Sequence, residues 1–174
     1  MRESNKSTAH YFAWLITAVA ACQKLNIKIG DLCFEKGDGG KPFLKNHPKF
    51  YFSISHSKNF AAVAFSDTAV GLDIEVLRPV NLKLANRFFS PEESAFAGDE
   101  LKFLQIWTRK EAYLKQSGIG LSTNLSAFNT LDNAGIKTFK TKDLVYSVAS
   151  SKSEFFDTIF INHDELINMV PKYL

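Results

Sequence analysis

Cysteine is scarce in this chain, and Cys22 and Cys33 are its only two. That number excludes a disulfide-dense secreted scaffold, and without a C-x-x-C pair there is no zinc or redox motif, so a reducing cytoplasm is the expected location. An excess of one charge is also lacking. Twenty-one Lys and Arg stand against 18 Asp and Glu, a formal net charge of +3, and no basic run interleaved with aromatics accompanies it. Nucleic acid is therefore not an expected partner, and a small acidic protein or ligand suits the balance better. Long hydrophobic runs are missing too. The longest, residues 11–22, is about a dozen residues and contains Thr17, too short for a membrane span. Arg2 and Lys6 precede it and Val19-Ala20-Ala21-Cys22 ends it, an arrangement reminiscent of a lipoprotein cleavage site. Glu3 weakens that basic head, and the pattern continues through Lys24 to Leu25, so a buried helix capped by Ser7 or Thr8 is the expectation. Heptads, low-complexity tracts and long linkers are absent as well.

What is present is enough apolar material, 45% of 174 residues, for one sizeable core or two small ones. The first helix, over about residues 8–25, carries apolar groups at 12, 15, 16, 19 and 22 with the small Ala18 and Ala20, which suits close packing on a sheet. After the glycine-rich break at Gly37 to Gly40, two strand-like runs at 50–55 and 60–65 flank a polar turn and read as a hairpin. A third strand, residues 70–76, ends at Arg78-Pro79. Helix is expected from Ser90-Pro91 to Gly118 with an interruption at Gly98. Short strands follow at 126–131, 136–141, 145–150 and 158–161. Helix followed by antiparallel strands, twice over, predicts an α+β protein of two related halves, 1–67 and 68–174, each a helix on a small antiparallel sheet.

In the third strand Val70, Leu72, Ile74 and Val76 alternate with Gly71, Asp73 and Glu75, so the two carboxylates share the face opposite the apolar one. At roughly 7 Å and an effective dielectric of 20 they repel by about 2 kcal/mol. Either water and salt on a solvated face relieve this, or a hard divalent cation does. Gly71 on the same face leaves room for a ligand near the backbone. The long helix adds Glu111, set in an apolar stripe of Phe103, Leu104, Trp107 and Leu114. The ordinary alternative is an i, i+4 ion pair with Lys115. Together Asp73, Glu75 and Glu111 form an all-oxygen set of the kind Mg²⁺, or Mn²⁺, accepts when waters and phosphate oxygens complete the shell.

The hairpin carries Phe52-Ser53-Ile54-Ser55-His56-Ser57, hydroxyls and an imidazole that suit either phosphate binding or turn chemistry. Ser55 and His56 are neighbours on opposite sides of a strand and no G-x-S-x-G elbow exists, which argues against a serine hydrolase. Lys41, between Gly40 and Pro42, is either a phosphate contact or an exposed loop lysine.

Five segments in this order and spacing resemble the motifs of the Sfp-type 4′-phosphopantetheinyl transferases: Gly40-Lys41-Pro42, the 52–57 hexapeptide, Gly71-Leu72-Asp73-Ile74-Glu75, Phe88-Phe89-Ser90-Pro91-Glu92-Glu93, and residues 107–118 from Trp107 to Gly118. The resemblance implies two pseudo-twofold halves with coenzyme A and Mg²⁺ between them, and transfer of phosphopantetheine to a serine of an acyl or peptidyl carrier protein. By position, Asp73, Glu75 and Glu111 would hold the metal; Lys41, Ser55 and His56 would contact coenzyme A phosphates; Lys115 would reach the pyrophosphate. Glu93, or Glu111 itself, would take the serine proton. Longer members carry a basic stretch before the first helix. With only residues 1–7 there, the 3′-phosphate is expected to be gripped more weakly, with Arg2, Lys6 and His10 as substitutes and 3′-dephospho-coenzyme A as a usable donor. A lost strand after Leu121 would expose apolar surface or lead to a homodimer rather than a monomer. Two other classes are weighed against this one, a Mg²⁺-dependent phosphodiesterase or nuclease and a non-catalytic carrier-protein or coenzyme A module.

Overall fold

The computed structural model describes the backbone of residues 2–7 and all of residues 8–119, 124–151 and 157–174. The chain is α+β, with helices packed on small antiparallel sheets. Helix α1 (Arg2–Leu25) comes first. It starts before Ser7 and Thr8, which lie inside the helix and not at its cap. Its inward face is Ala9, Ala13, Thr17, Ala21 and Cys22, small groups that let it lie close to the sheet. Two short strands, β1 (Phe34–Lys36) and β2 (Pro42–Leu44), pair across the glycine-rich break. The expected hairpin follows as β3 (Tyr51–Ser57) and β4 (Phe60–Ser66), with Lys58 in the left-handed region at the turn. Leu44, Phe50 and Phe52 of this region pack with Ala21, Trp14 and Phe34 into the first core.

Strand β5 (Val70–Val76) has the predicted bounds. It pairs antiparallel with β7 (Leu144–Ser150), and β7 pairs with β6 (Ile136–Lys140), in the order β5-β7-β6. Between β5 and β6 come α2 (Ala85–Phe88), α3 (Pro91–Phe96) and α4 (Glu100–Ser117). Ser90 caps α3 with Pro91 in its first turn and Glu93 completing a capping box; Asp99 caps α4, and Gly118 ends it in the left-handed conformation at φ 70°. These are the start and stop signals the sequence carries.

Residues 126–131 do not form a strand; they are a 3-10 turn (Leu125–Ala127) and irregular chain. Residues 158–161 are not a strand either. Among the described residues no sheet edge pairs with them, and Ile159 and Phe160 stay 83% and 69% exposed. A last helix, α5 (His163–Met169), lies against α1, with the His163 ring edge-on to Phe12 at 5.0 Å. Among the described residues no helix is long and apolar enough to cross a membrane.

Candidate active site

The site is built where α4 lies on β5. The backbone approach is close: a Cβ on Gly71 would sit 1.8 Å from the Ala112 carbonyl oxygen and 2.4 Å from the Gln116 nitrogen. The space at Gly71 is thus filled by a helix and not kept for a ligand. Gly71→Ala should cost about 1–3 kcal/mol or more in urea denaturation, because neither backbone can give way cheaply. The same approach covers the carboxylate face, so Asp73 is buried rather than solvated.

The second device is a row of serines. Period two along β3 turns Ser53, Ser55 and Ser57 toward the free edge of β5. Their hydroxyl oxygens accept the N–H groups of Leu72 (2.9 Å), Ile74 (3.3 Å) and Val76 (3.1 Å). Side-chain oxygens take the place that a neighbouring strand's carbonyls would occupy. Lys41 extends the row, its ammonium donating to the carbonyl of Val70 at 2.8 Å and more weakly to that of Gln116 at 3.5 Å. Its loop is pressed against the end of α4, where a Cβ on Gly39 would meet the Gly118 oxygen at 1.8 Å.

Within this frame Ser55 donates to Asp73 Oδ1 at 2.8 Å, and Lys115 Nζ reaches both Asp73 Oδ1 at 2.7 Å and Ser55 Oγ at 3.1 Å. Lys115 therefore pairs across to β5 and not with Glu111 one turn away. The single donor and two lone pairs of Ser55 are all used inside the protein, so it orients Asp73, in contrast to the expected phosphate contact. Glu75 accepts from Ser57 Oγ at 2.8 Å and from Arg78 at 3.4 Å. Among the described residues no hydrogen bond or ion pair reaches the Glu111 carboxylate.

Burial, first, and then the charge of Asp73 and of Glu75 raise the Glu111 carboxyl above its ordinary range, against the opposing pull of Lys115. Asp73 is also pushed up, chiefly by burial and only partly offset by Lys115 and Ser55. Burial brings the Lys41 ammonium down to about 8. Among the described residues no three acidic, His or Cys side chains form a ready-made metal shell.

His56 stands on the other side of the hairpin, toward α1. Its ring is edge-on to His10 at 5.8 Å, and His10 Nε2 accepts the indole N–H of Trp14 at 3.0 Å. That bond uses the one lone pair of the His10 ring and leaves the hydrogen on Nδ1. The side chains of Arg2 and Lys6 lie outside the described residues.

Glu93 is far from an exposed base. It is 0% exposed, and its oxygens accept from Ser90 N (2.9 Å), Thr130 N and Oγ1 (2.7 Å each) and Lys110 Nζ (2.6 Å). All four acceptor positions are occupied, so the expectation that it takes a proton gives way to a structural role. Lys110 spends its other donors on the carbonyls of Leu125 and Phe128. Arg109 clamps the same loop through the carbonyls of Thr130, Leu131, Asn133 and Ile136 and the Thr138 hydroxyl. Successive residues of α4 thus divide the labour: 109 and 110 fold the loop, while 111 and 115 face β5.

A family model described as the 4'-phosphopantetheinyl transferase superfamily matches residues 69–162, more than half of the chain and the part that contains β5 and α4. The chain belongs to that superfamily. It is 36% identical over 119 residues to 4'-phosphopantetheinyl transferase psf-1 of Bacillus pumilus, covering 64% of this chain and 51% of that protein. It is 37% identical over 105 residues to 4'-phosphopantetheinyl transferase Sfp of Bacillus subtilis (strain 168), covering 57% and 47%. The gsp transferase of Aneurinibacillus migulanus is 33% identical over 112 residues, covering 61% and 46%. The chain spans about half the length of these curated relatives. The family's matched region places Asp73, Glu75, Glu93, Glu111 and Lys115 inside it, and Lys41, Ser55 and His56 before it.

Proposed function

We propose that the protein transfers 4′-phosphopantetheine from coenzyme A to a carrier-protein serine with Mg²⁺, releasing 3′,5′-ADP. The observation that carries this reading is the gathering of three carboxylates between β5 and α4, Asp73 buried and Glu75 and Glu111 partly buried, beside Lys115, in a member of this family. The donor set fits the metal. Mg²⁺ takes oxygen ligands only and keeps waters and substrate phosphate oxygens beside protein carboxylates, and so needs no prebuilt cage. Asp73, Glu75 and Glu111 would hold it. When bound, it supplies Lewis-acid stabilisation of charge on a transferring phosphoryl group.

The chain's own residues account for the rest. Lys115, beside Asp73, provides positive charge for the pyrophosphate, and Lys41 provides a second cation on the loop at the end of α4. His56, with His10 behind it, faces α1 and is suited to a phosphate further along the donor. Glu111 accepts the serine proton directly or through water. The serine oxygen bonds to the phosphorus on the pantetheine side, and the bond to the ADP oxygen breaks in line, so the protein mainly positions and neutralises. The carrier is an acyl or peptidyl carrier protein, and cytoplasmic placement accords with coenzyme A as donor.

Incubation with apo-carrier protein, coenzyme A and Mg²⁺, read by intact mass, tests this reading. The carrier should gain one phosphopantetheine. An unchanged carrier with hydrolysed phosphodiester would identify a phosphodiesterase, and an unchanged carrier in a stable complex would identify a binding module.

Lys41 adds a pH dependence. In the free protein its ammonium loses its proton near pH 8, so wild-type kcat/KM for coenzyme A should fall above about pH 8. Lys41→Ala should raise KM for coenzyme A at pH 7, with little change for the carrier, and lose that alkaline limb. A rise in carrier KM alone would sink the assignment.

A further inference from the structure

The serine row does two things at once, and its rungs are not equivalent. Ser53, Ser55 and Ser57 each accept one backbone N–H from β5. A hydroxyl whose lone pair is held by an N–H donor has its proton to give elsewhere, and a carboxylate is an acceptor only. Ser57 gives that proton to Glu75 Oε2 at 2.8 Å and Ser55 gives its own to Asp73 Oδ1 at 2.8 Å. Ser53 makes the same backbone bond, to Leu72, without a carboxylate partner among the described residues.

From this we infer that Ser55 and Ser57 are positioning residues for the metal-binding carboxylates. The hairpin of the first half aims Asp73 and Glu75 of the second through hydroxyls whose own direction is fixed by the β5 backbone. The inference rests on the reading of Asp73 and Glu75 as metal ligands. Ser57 is the cleaner probe, because Ser55 also meets Lys115. Two restraints hold Glu75, the Ser57 hydroxyl and the longer contact to Arg78, whose side chain is 42% exposed. A partner at the second remove from a metal typically sets ligand orientation and shifts metal affinity by about 10–100-fold.

The row contains its own control. Ser53→Ala and Ser57→Ala each remove one hydroxyl-to-backbone rung, so both should lower Tm to a similar extent. Only Ser57→Ala should change metal binding. Titration of the full chain with Mn²⁺, followed by electron paramagnetic resonance of the free ion, gives the affinity without relying on turnover. We expect the Mn²⁺ Kd to rise about 10–100-fold in Ser57→Ala and about twofold or less in Ser53→Ala, as for an independent site. Ser57→Thr, which keeps the hydroxyl, should restore most of the affinity. Equal Kd values for wild type and Ser57→Ala would overturn the positioning role while leaving the metal reading intact, as would equal losses in Ser53→Ala and Ser57→Ala. No Mn²⁺ binding by wild type would overturn both.

Discussion

Glu111→Gln should reduce phosphopantetheine transfer by about two to three powers of ten or more, the scale of losing a group that stabilises transition-state charge, and should leave the protein folded. The same substitution should raise Tm in EDTA. The sign follows from the raised carboxyl of Glu111. A carboxyl whose folded-state value lies above its unfolded one contributes stability that is present below the unfolded value and lost as pH rises through the folded one. At neutral pH the ionised group therefore opposes folding in the metal-free protein, and an uncharged amide of the same shape relieves that opposition. Asp73 is shifted in the same direction, but it also holds Lys115, so Asp73→Asn should show the activity loss with less gain in stability. Transfer assays and thermal unfolding in EDTA measure the two effects separately. Near-normal turnover of Glu111→Gln, or full wild-type activity in EDTA, would contradict the assignment.

The second large effect lies at the buried pair of Glu93 and Lys110, 2.6 Å apart with side chains 0% and 1% exposed. Glu93→Ala or Lys110→Ala should cost about 3–5 kcal/mol of folding stability, because each leaves a buried charge without its partner. Replacing both together by apolar residues of similar volume should cost much less than the sum of the single changes. Equilibrium urea denaturation gives these values. Glu93→Gln distinguishes this account from one in which Glu93 is the base. Any active fraction that folds should turn over with wild-type kcat, whereas a fully stable Glu93→Gln protein with no transfer would restore the catalytic reading.

Strand β5 is legible in the sequence because alternation over residues 70–76 is strict and Arg78-Pro79 stops it; α3 and α4 are legible because Ser90, Pro91, Asp99 and Gly118 are strong local signals. The three carboxylates follow from those elements. Their environment does not, since a period-two face reads the same whether water or a helix covers it. Gly71 is the residue that distinguishes the two, and only the approach of the Ala112 carbonyl reveals which applies. The serine row is invisible for a related reason. Its bonds join elements about 19 positions apart, as in Ile74 to Ser55, and spacing alone cannot separate such bonds from turn chemistry. Glu93 illustrates a motif whose position is fixed by packing, so its presence among family residues says nothing of its exposure. The apolar residues 158–161 read as a strand because propensity is local, whereas a strand needs an edge to pair with. Helix α5 did have a signal, the capping box of Asn162 and Glu165.

In the proposed reaction β5 and α4 present a metal to the pyrophosphate of coenzyme A. Phosphorus-31 relaxation of coenzyme A in the presence of the protein and Mn²⁺ reports it directly, since a paramagnetic ion broadens the phosphorus atoms nearest to it. The two pyrophosphate resonances should broaden strongly and the 3′-phosphate much less, and Asp73→Asn should abolish the difference. Equal broadening of all three phosphorus signals, or an unchanged pattern in Asp73→Asn, would rule out a metal held there against the pyrophosphate.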